Sequence, residues 1–174
     1  MPKTVTYLEM TAPAELRPAP ALPDLGLLRV DSSSPLVRTT PARIGAPHGW
    51  RSTTRTAGEW AAAIEAHPRR QYWLLNHRAD VAGVAFLEPQ PGGQVEITTF
   101  GLLPERVGQG LGGYALTLAL RQAWATEPLE AAAVRRVWLH TSSDDHPNAL
   151  ANYHRRGLRT YRVEAEDEAD RAIL

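Results

Sequence analysis

Between residues 108 and 113 the chain reads GQGLGG, four glycines in six positions, directly ahead of YALTLALRQAWA, whose apolar residues recur at helical spacing. Free amides at a helix N-terminus, aided by the helix dipole, attract anions, and glycine lets an anion touch the backbone without meeting a side chain. A tight turn with close helix–sheet packing would also use glycine, though rarely four of them, so a phosphate site is the expected role. Two nucleotide-binding loops compete for the pattern. Gly108, Gly110 and Gly113 satisfy G-x-G-x-x-G, but only 61 residues follow Gly113 (174 minus 113), too few for the remaining βαβ units and closing acidic residue of a dinucleotide fold. No G-K-[ST] is present to make a Walker loop.

The elements around the loop define its address. FGLL ahead of Pro104 ends a strand, so the glycines join a strand to a helix. Upstream, QYWLL and VAGVAFLE flank the turn NHRAD, and PQPGG leads into QVEITTFGLL, which together predict three consecutive antiparallel strands. Downstream, RRVWLHT, PNALANYHRR and LRTYRVE read as strand, helix and strand. Nearer the start, LLRVDS (Leu27 to Ser32) reads as a first core strand. TAGEWAAAIEAH carries a capping box, Thr56 with Glu59, followed by a helix with Trp60 and Ile64 on one face. Residues 11–26 are proline-rich and predict an irregular arm. The order argues an α/β or α+β mixed sheet.

Composition bounds the rest. At 174 residues and 43% hydrophobic, the chain is expected to form one domain over residues 1–174. Its 19 basic and 19 acidic residues cancel, so no overall field draws it to nucleic acid or an anionic membrane, and any anion must be bound locally. The absence of cysteine excludes disulfides, thiolate metal sites and a cysteine nucleophile. MPKTVTYLEM lacks the character of a signal peptide, and no stretch approaches the roughly 20 apolar residues of a membrane span. A cytoplasmic protein without a metal is the expectation.

LLPERVGQGLGGYAL, followed by VWLHT and NYHRRGL, resembles the GNAT superfamily of acyl-CoA-dependent N-acyltransferases over about residues 81–163. The family signature Q/R-x-x-G-x-G/A falls on Val107, Gly108, Gln109, Gly110, Leu111 and Gly112, with Gly113 next. The resemblance implies a mixed, mostly antiparallel sheet of six or seven strands, splayed after the fourth and flanked by about four helices. It further implies that the backbone of Leu102 pairs with pantetheine and that amides from Val107 to Gly112 hold the pyrophosphate of coenzyme A. Two positions depart from the pattern. Val107 stands where arginine or glutamine is usual, with Arg106 one place earlier. His146 stands where many members carry asparagine, and it could bond the cofactor, touch the acceptor or cap the helix.

The activity so implied is N-acetyl transfer from acetyl-CoA to a primary amine, a small molecule or a peptide N-terminus, by direct attack in a ternary complex. An alkylammonium of pKa about 10.4 must lose a proton before it attacks, and the leaving thiolate must gain one. Tyr153 sits where the family places its general acid. Glu96 is a candidate base; strict alternation puts it on one strand face with Gln94, Thr98 and Phe100, pointing into a cleft or into water. His140 is a second candidate base. Acceptor contacts are expected from about Pro41 to Trp60, with Trp50, Trp60 and Arg51 as candidates, Trp60 reading better as aromatic core. Asp144 and Asp145 could receive a cationic amine or serve ordinary capping. A non-catalytic acyl-CoA-binding module is the main alternative, a nicotinamide-dependent oxidoreductase a third reading, and a homodimer is open.

Overall fold

Local rules seen in the sequence operate as expected where nothing competes with them. Thr56 Oγ1 accepts the amide of Glu59 while the Glu59 carboxylate reaches back to the Thr56 amide, and helix α2 (Ala57–Ala66) starts there. The structure, a computed structural model, describes residues 2–166. The other elements are β1 (Lys3–Met10), β2 (Leu25–Val30), α1 (Leu36–Gly45), β3 (Gln71–His77), β4 (Asp80–Gln90), β5 (Gln94–Leu102), α3 (Gly112–Trp124), β6 (Arg136–Ser142), α4 (Ala149–Arg155) and β7 (Arg159–Glu166).

The seven strands form one sheet in the order β2-β3-β4-β5-β6-β1-β7, antiparallel throughout except where β5 meets β6. The sheet separates two layers of core. On one face α3 lays Leu116, Leu120 and Ala123 against Leu8, Leu87, Ile97 and Leu139. On the other, Val37 and Ile44 of α1 pack on Tyr72, Val84 and Phe86. Strand β4 is covered on both sides and is accordingly buried without a break from Ala82 to Leu87.

Two expectations are corrected. LLRVDS does not supply the first core strand: β2 pairs only with β3 at the sheet edge, and Leu28 is 51% exposed. The first strand is KTVTYLEM, which pairs on both sides, with β6 and β7, and buries Leu8 and Met10 completely. Its alternation of β-branched, aromatic and polar residues was a readable strand signal. The arm expected over residues 11–26 ends at residue 24, because β2 begins at Leu25; apart from a 3-10 turn at Pro13–Glu15 it is irregular and lies across the helices, the Arg17 amide donating to the Arg156 carbonyl and the Ala19 amide to Thr117 Oγ1 at 3.0 Å.

The sheet opens after its fourth strand. Strands β5 and β6 pair only at Gln94–Arg136, Val95–Val137 and Glu96–Trp138. Just beyond, β5 carries a bulge. Leu87 of β4 faces Ile97 and Phe86 faces Thr99, so Thr98 is the extra residue, its hydroxyl donating to the Phe86 carbonyl at 3.4 Å. A bulge bends its strand and adds twist, which carries β5 away from β6. It also resets the alternation. Past Thr98 the side chains of Phe100 and Leu102 share the Ile97 face, while Thr99 and Gly101 share the Glu96 face, so Glu96 and Phe100 lie on opposite faces of β5.

Where α4 turns into β7, Gly157 has φ +103°, and a Cβ there would run into the Glu15 carbonyl of the arm. Gly157→Ala should therefore cost about 2 kcal/mol or more and lower Tm by several degrees, from backbone strain and overpacking together. Gly26→Ala, where a Cβ meets nothing within 4 Å, serves as the control. Equal melting temperatures for the two variants would contradict this role of Gly157.

Candidate functional site

The opening between β5 and β6 leaves one edge of β5 without a strand partner beyond Glu96, and the glycine loop lies at its far end. The loop's four glycines have distinct tasks. Gly108 and Gly110 have φ of +80° and +76°, a region that side chains disfavour, and a Cβ on either would meet no protein atom within 4 Å. Gly112 opens α3, and a Cβ there would make only ordinary contact with Asn152. Gly113 is closely packed: a Cβ there would lie 3.2 Å from both Ala19 and Arg156 Nη1, so either neighbour would have to give. The buried Leu111 side chain holds the loop to the core beside Leu25, Leu75 and Ala115.

Among the described residues, no backbone amide from 108 to 114 donates to another backbone group, and no side chain caps α3. The Val107 amide does not share this state: it donates to the Pro104 carbonyl, so the run of unpartnered amides begins at Gly108. Its side chain is 41% exposed. Gln109 turns its side-chain amide to the Glu105 carbonyl. Arg106 points away, donating to His77 Nδ1 at 2.8 Å and Asp80 Oδ2 at 3.4 Å, and does not stand in for the missing signature residue. The nearby cations are instead Arg155, which lines the same cavity, and Arg156, whose buried Nε has no hydrogen-bond partner. Both lie in NYHRRGL, where basic residues close a helix that faces the glycines, a signal legible in the sequence.

Three cavities share Trp50 and Asp145 on their walls. One of about 530 Å³ runs along the glycine loop, with Leu102, His146, Asn152 and Tyr153 on its walls. A second, about 440 Å³, fills the opening between the strands and touches Glu96, Phe100, His140 and Tyr153. A third, about 930 Å³, lies on the α2 side, bounded by Arg51, Arg55, Trp60, Tyr72, Phe86 and Glu96 among others. Trp50 Nε1 donates to Asp145 Oδ1 at 2.9 Å, and Asp145 Oδ2 accepts from Thr141 Oγ1 at 2.6 Å and the Ser142 amide at 2.9 Å. Asp145 is thus a clamp for the β6–α4 turn and a brace for Trp50. Asp144 is exposed, 3.7 Å from Lys3. Trp60 is buried, as its place on α2 suggested.

Burial sets the protonation of the two principal candidates. The Tyr153 side chain is 7% exposed, packs edge-on to Phe100, and has its hydroxyl pKa pushed well above the ordinary value, first by desolvation and then by the Asp145 charge. It therefore keeps its proton at neutral pH. The carboxyl of Glu96 is raised chiefly by burial, with Glu88 adding to the effect, while Arg70 and a hydrogen bond from Gln90 oppose it. Glu96 stands at the apex, paired with Trp138, and reaches the cavities on both sides. His140 is exposed in the opening, its ring 5.6 Å from Tyr7. His146 lines the glycine-loop cavity and accepts the Asn148 amide on Nδ1, a local turn bond ahead of α4. Lys3 and Tyr7 of β1 also line the opening, brought there by a strand pairing that no local pattern in the sequence specifies.

Such an arrangement can hold a diphosphate on unpartnered amides and move protons at a point deep between two strands. No cluster of three or more His, Asp or Glu among the described residues could hold a metal, and no described helix is long and apolar enough to cross a membrane. A family model described as the acetyltransferase (GNAT) family matches residues 41–158. Among solved structures, a GCN5-related N-acetyltransferase from Sphaerobacter thermophilus is 15% identical with a TM-score of 0.63, covering 93% of this chain and 50% of its own. Another from Kribbella flavida is 19% identical with a TM-score of 0.61, covering 97% of this chain and 63% of its own. These likenesses are of fold, and this chain spans between half and under two thirds of those proteins' lengths. No curated protein matches the chain.

Proposed function

The chain belongs to the GNAT acetyltransferase family, and from that premise we propose that it transfers an acetyl group from acetyl-CoA to a primary amine by direct attack within a ternary complex. The observation that carries the proposal is the run of unpartnered amides from 108 to 114, bordered by cations, at the end of an unpaired strand edge. These residues fit coenzyme A. The amides of Gly108, Gln109, Gly110, Leu111, Gly112 and Gly113 would hold the diphosphate, with the backbone of Val107 shaping the entry to the loop. Arg155 and His146 would lie along it, and Leu102 would pair its backbone with the pantetheine amides. Acetyl-CoA supplies the activated thioester when bound.

The proton traffic falls to this chain's own side chains. Glu96, raised toward neutrality yet able to ionise, takes the proton of the acceptor ammonium, and the apex of the opening shields that transfer from bulk water. Tyr153, held protonated, donates to the departing sulfur from the opposite wall. Trp50, braced by Asp145, borders both the cofactor side and the acceptor side and confines the acceptor to the α2 cavity.

The cofactor site is tested at Gly112, where the fold has room for a side chain. Gly112→Val should keep its Tm within a few degrees and lose at least about tenfold in coenzyme A affinity by calorimetric titration, since the added branches would occupy the anion's place. Unchanged affinity in the folded variant would sink the phosphate assignment. The acid is tested by Tyr153→Phe, which keeps the ring and removes the proton. Turnover should fall by about 10²-fold with acetyl-CoA binding nearly intact. Full turnover would remove Tyr153 from the mechanism and leave a binding module as the better reading.

The base predicts a pH dependence with a definite sign. Because the folded-state pKa of Glu96 is raised above 4.5, kcat/KM should climb with pH through a limb centred above that value, as the carboxylate form appears. Glu96→Gln should abolish the limb. For stability, a raised pKa favours the protonated fold, a contribution present at low pH and lost as pH rises through the folded-state value. The neutral glutamine should therefore leave Tm at pH 7 equal or higher. An unaltered pH profile in Glu96→Gln would assign the base elsewhere.

A further inference from the structure

The α2-side cavity is lined by more basic than acidic side chains. Its acids are Glu96, Asp144 and Asp145, and its basic side chains include Lys3, Arg51, Arg55 and Arg70. Arg70 is held by Glu88 at 3.1 Å, Lys3 lies 3.7 Å from Asp144, and Asp145 is committed to Trp50, Thr141 and Ser142. Arg55 stands apart. Its guanidinium lies 4.7 Å over the Trp60 ring, and among the described residues no carboxylate is within ion-pair distance of it. The nearest acid along the chain, Glu59, is occupied by the Thr56 cap. Arg55 is half-buried, and desolvation, together with the charges of Arg51 and Arg70 and against an opposing pull from Glu59, holds its pKa below the ordinary value.

Stacking on Trp60 leaves the edge of the guanidinium, where its donors lie, available for two parallel hydrogen bonds to a planar anion. Glu96 and Thr99 mark another part of the same cavity, with the aromatic pair Tyr72 and Phe86, 4.9 Å between centroids, also on its walls. We propose that the acceptor is an amine bearing a carboxylate and an apolar body, an amino acid or a short peptide, with its carboxylate on Arg55 and its amine directed to Glu96. This rests on the acetyl-transfer reading above and adds the substrate class to it.

The test compares acids with their decarboxylated counterparts, L-phenylalanine with 2-phenylethylamine and L-leucine with 3-methylbutylamine, by thiol release in the wild type and in Arg55→Gln. Arg55 precedes α2 in a loop outside both cores, so the variant should fold. The wild type should show a KM at least about tenfold lower for the acids, and Arg55→Gln should raise that KM about tenfold or more while leaving kcat and the plain amines nearly unchanged. Equal KM values for acid and amine in the wild type, or equal effects of the substitution on both, would overturn the proposal. A second arm titrates N-acetyl-L-phenylalanine and N-acetyl-L-leucine into the coenzyme A-saturated protein. Binding that Arg55→Gln abolishes supports the carboxylate site even if no amine releases thiol, in which case the transfer reading fails and this site stands. Absence of binding to the wild type counts against the site whatever the turnover.

Discussion

Three backbone pairs, Gln94–Arg136, Val95–Val137 and Glu96–Trp138, join two halves of the sheet, and every feature of the cleft depends on the pairing stopping there. The closed end is pinned by side chains as well. Arg136 donates to Glu9 of β1 at 2.7 Å and to Gln94 of β5 at 2.9 Å, while Trp138 Nε1 reaches Gln90 at 2.9 Å. Past that clamp the bulge at Thr98 turns β5 away, and its backbone edge is exposed to the cavity in place of a neighbouring strand. An unpaired edge is ordinarily a liability because its polar groups seek partners. Inside a cleft the same groups are a ready place for an extended ligand.

The open end is held by a different device. The bond from Trp50 to Asp145 spans from the loop after α1 to the turn after β6, so two segments nearly a hundred residues apart fix the width of the mouth. Its location between the cavities means that one contact both braces the walls and separates the two ligand spaces. Desolvation tunes the two groups near it: Tyr153 is a phenol that stays protonated, and Glu96 is a carboxyl whose pKa is raised, its charged form alone being disfavoured by burial.

Support for the anion loop comes from behind. Leu111 anchors it in the core, Asn152 donates to the Gly112 carbonyl at 3.0 Å, and the arm packs Ala19 against Gly113 while bonding Arg156 through the backbone of Arg17. The amides can stay unpartnered because the segment's conformation is set by these contacts and by two left-handed glycines, with no internal hydrogen bonds spent on the purpose.

The sequence alone determined what depends on short-range rules. The Thr56 capping box, the three-strand meander around NHRAD and PQPGG, and the glycine loop ahead of an apolar helix each follow from neighbours in the chain, and the GNAT resemblance of residues 81–163 joined them to a fold. KTVTYLEM carried a legible alternation, but its place between β6 and β7 is a pairing across more than 120 residues that no local pattern encodes. Alternation along QVEITTFGLL was readable too, yet one bulged residue reversed the faces beyond it, because register is settled by the partner strand. Whether Asp145 received a ligand or clamped a turn, and whether Arg106 or Arg155 faced the loop, turned on where side chains converge in space. Charge neutrality of the whole chain likewise hid the guanidinium of Arg55, which has no carboxylate at ion-pair distance among the described residues, since a sum over residues says nothing about which charges are brought within reach of one another and which are left apart.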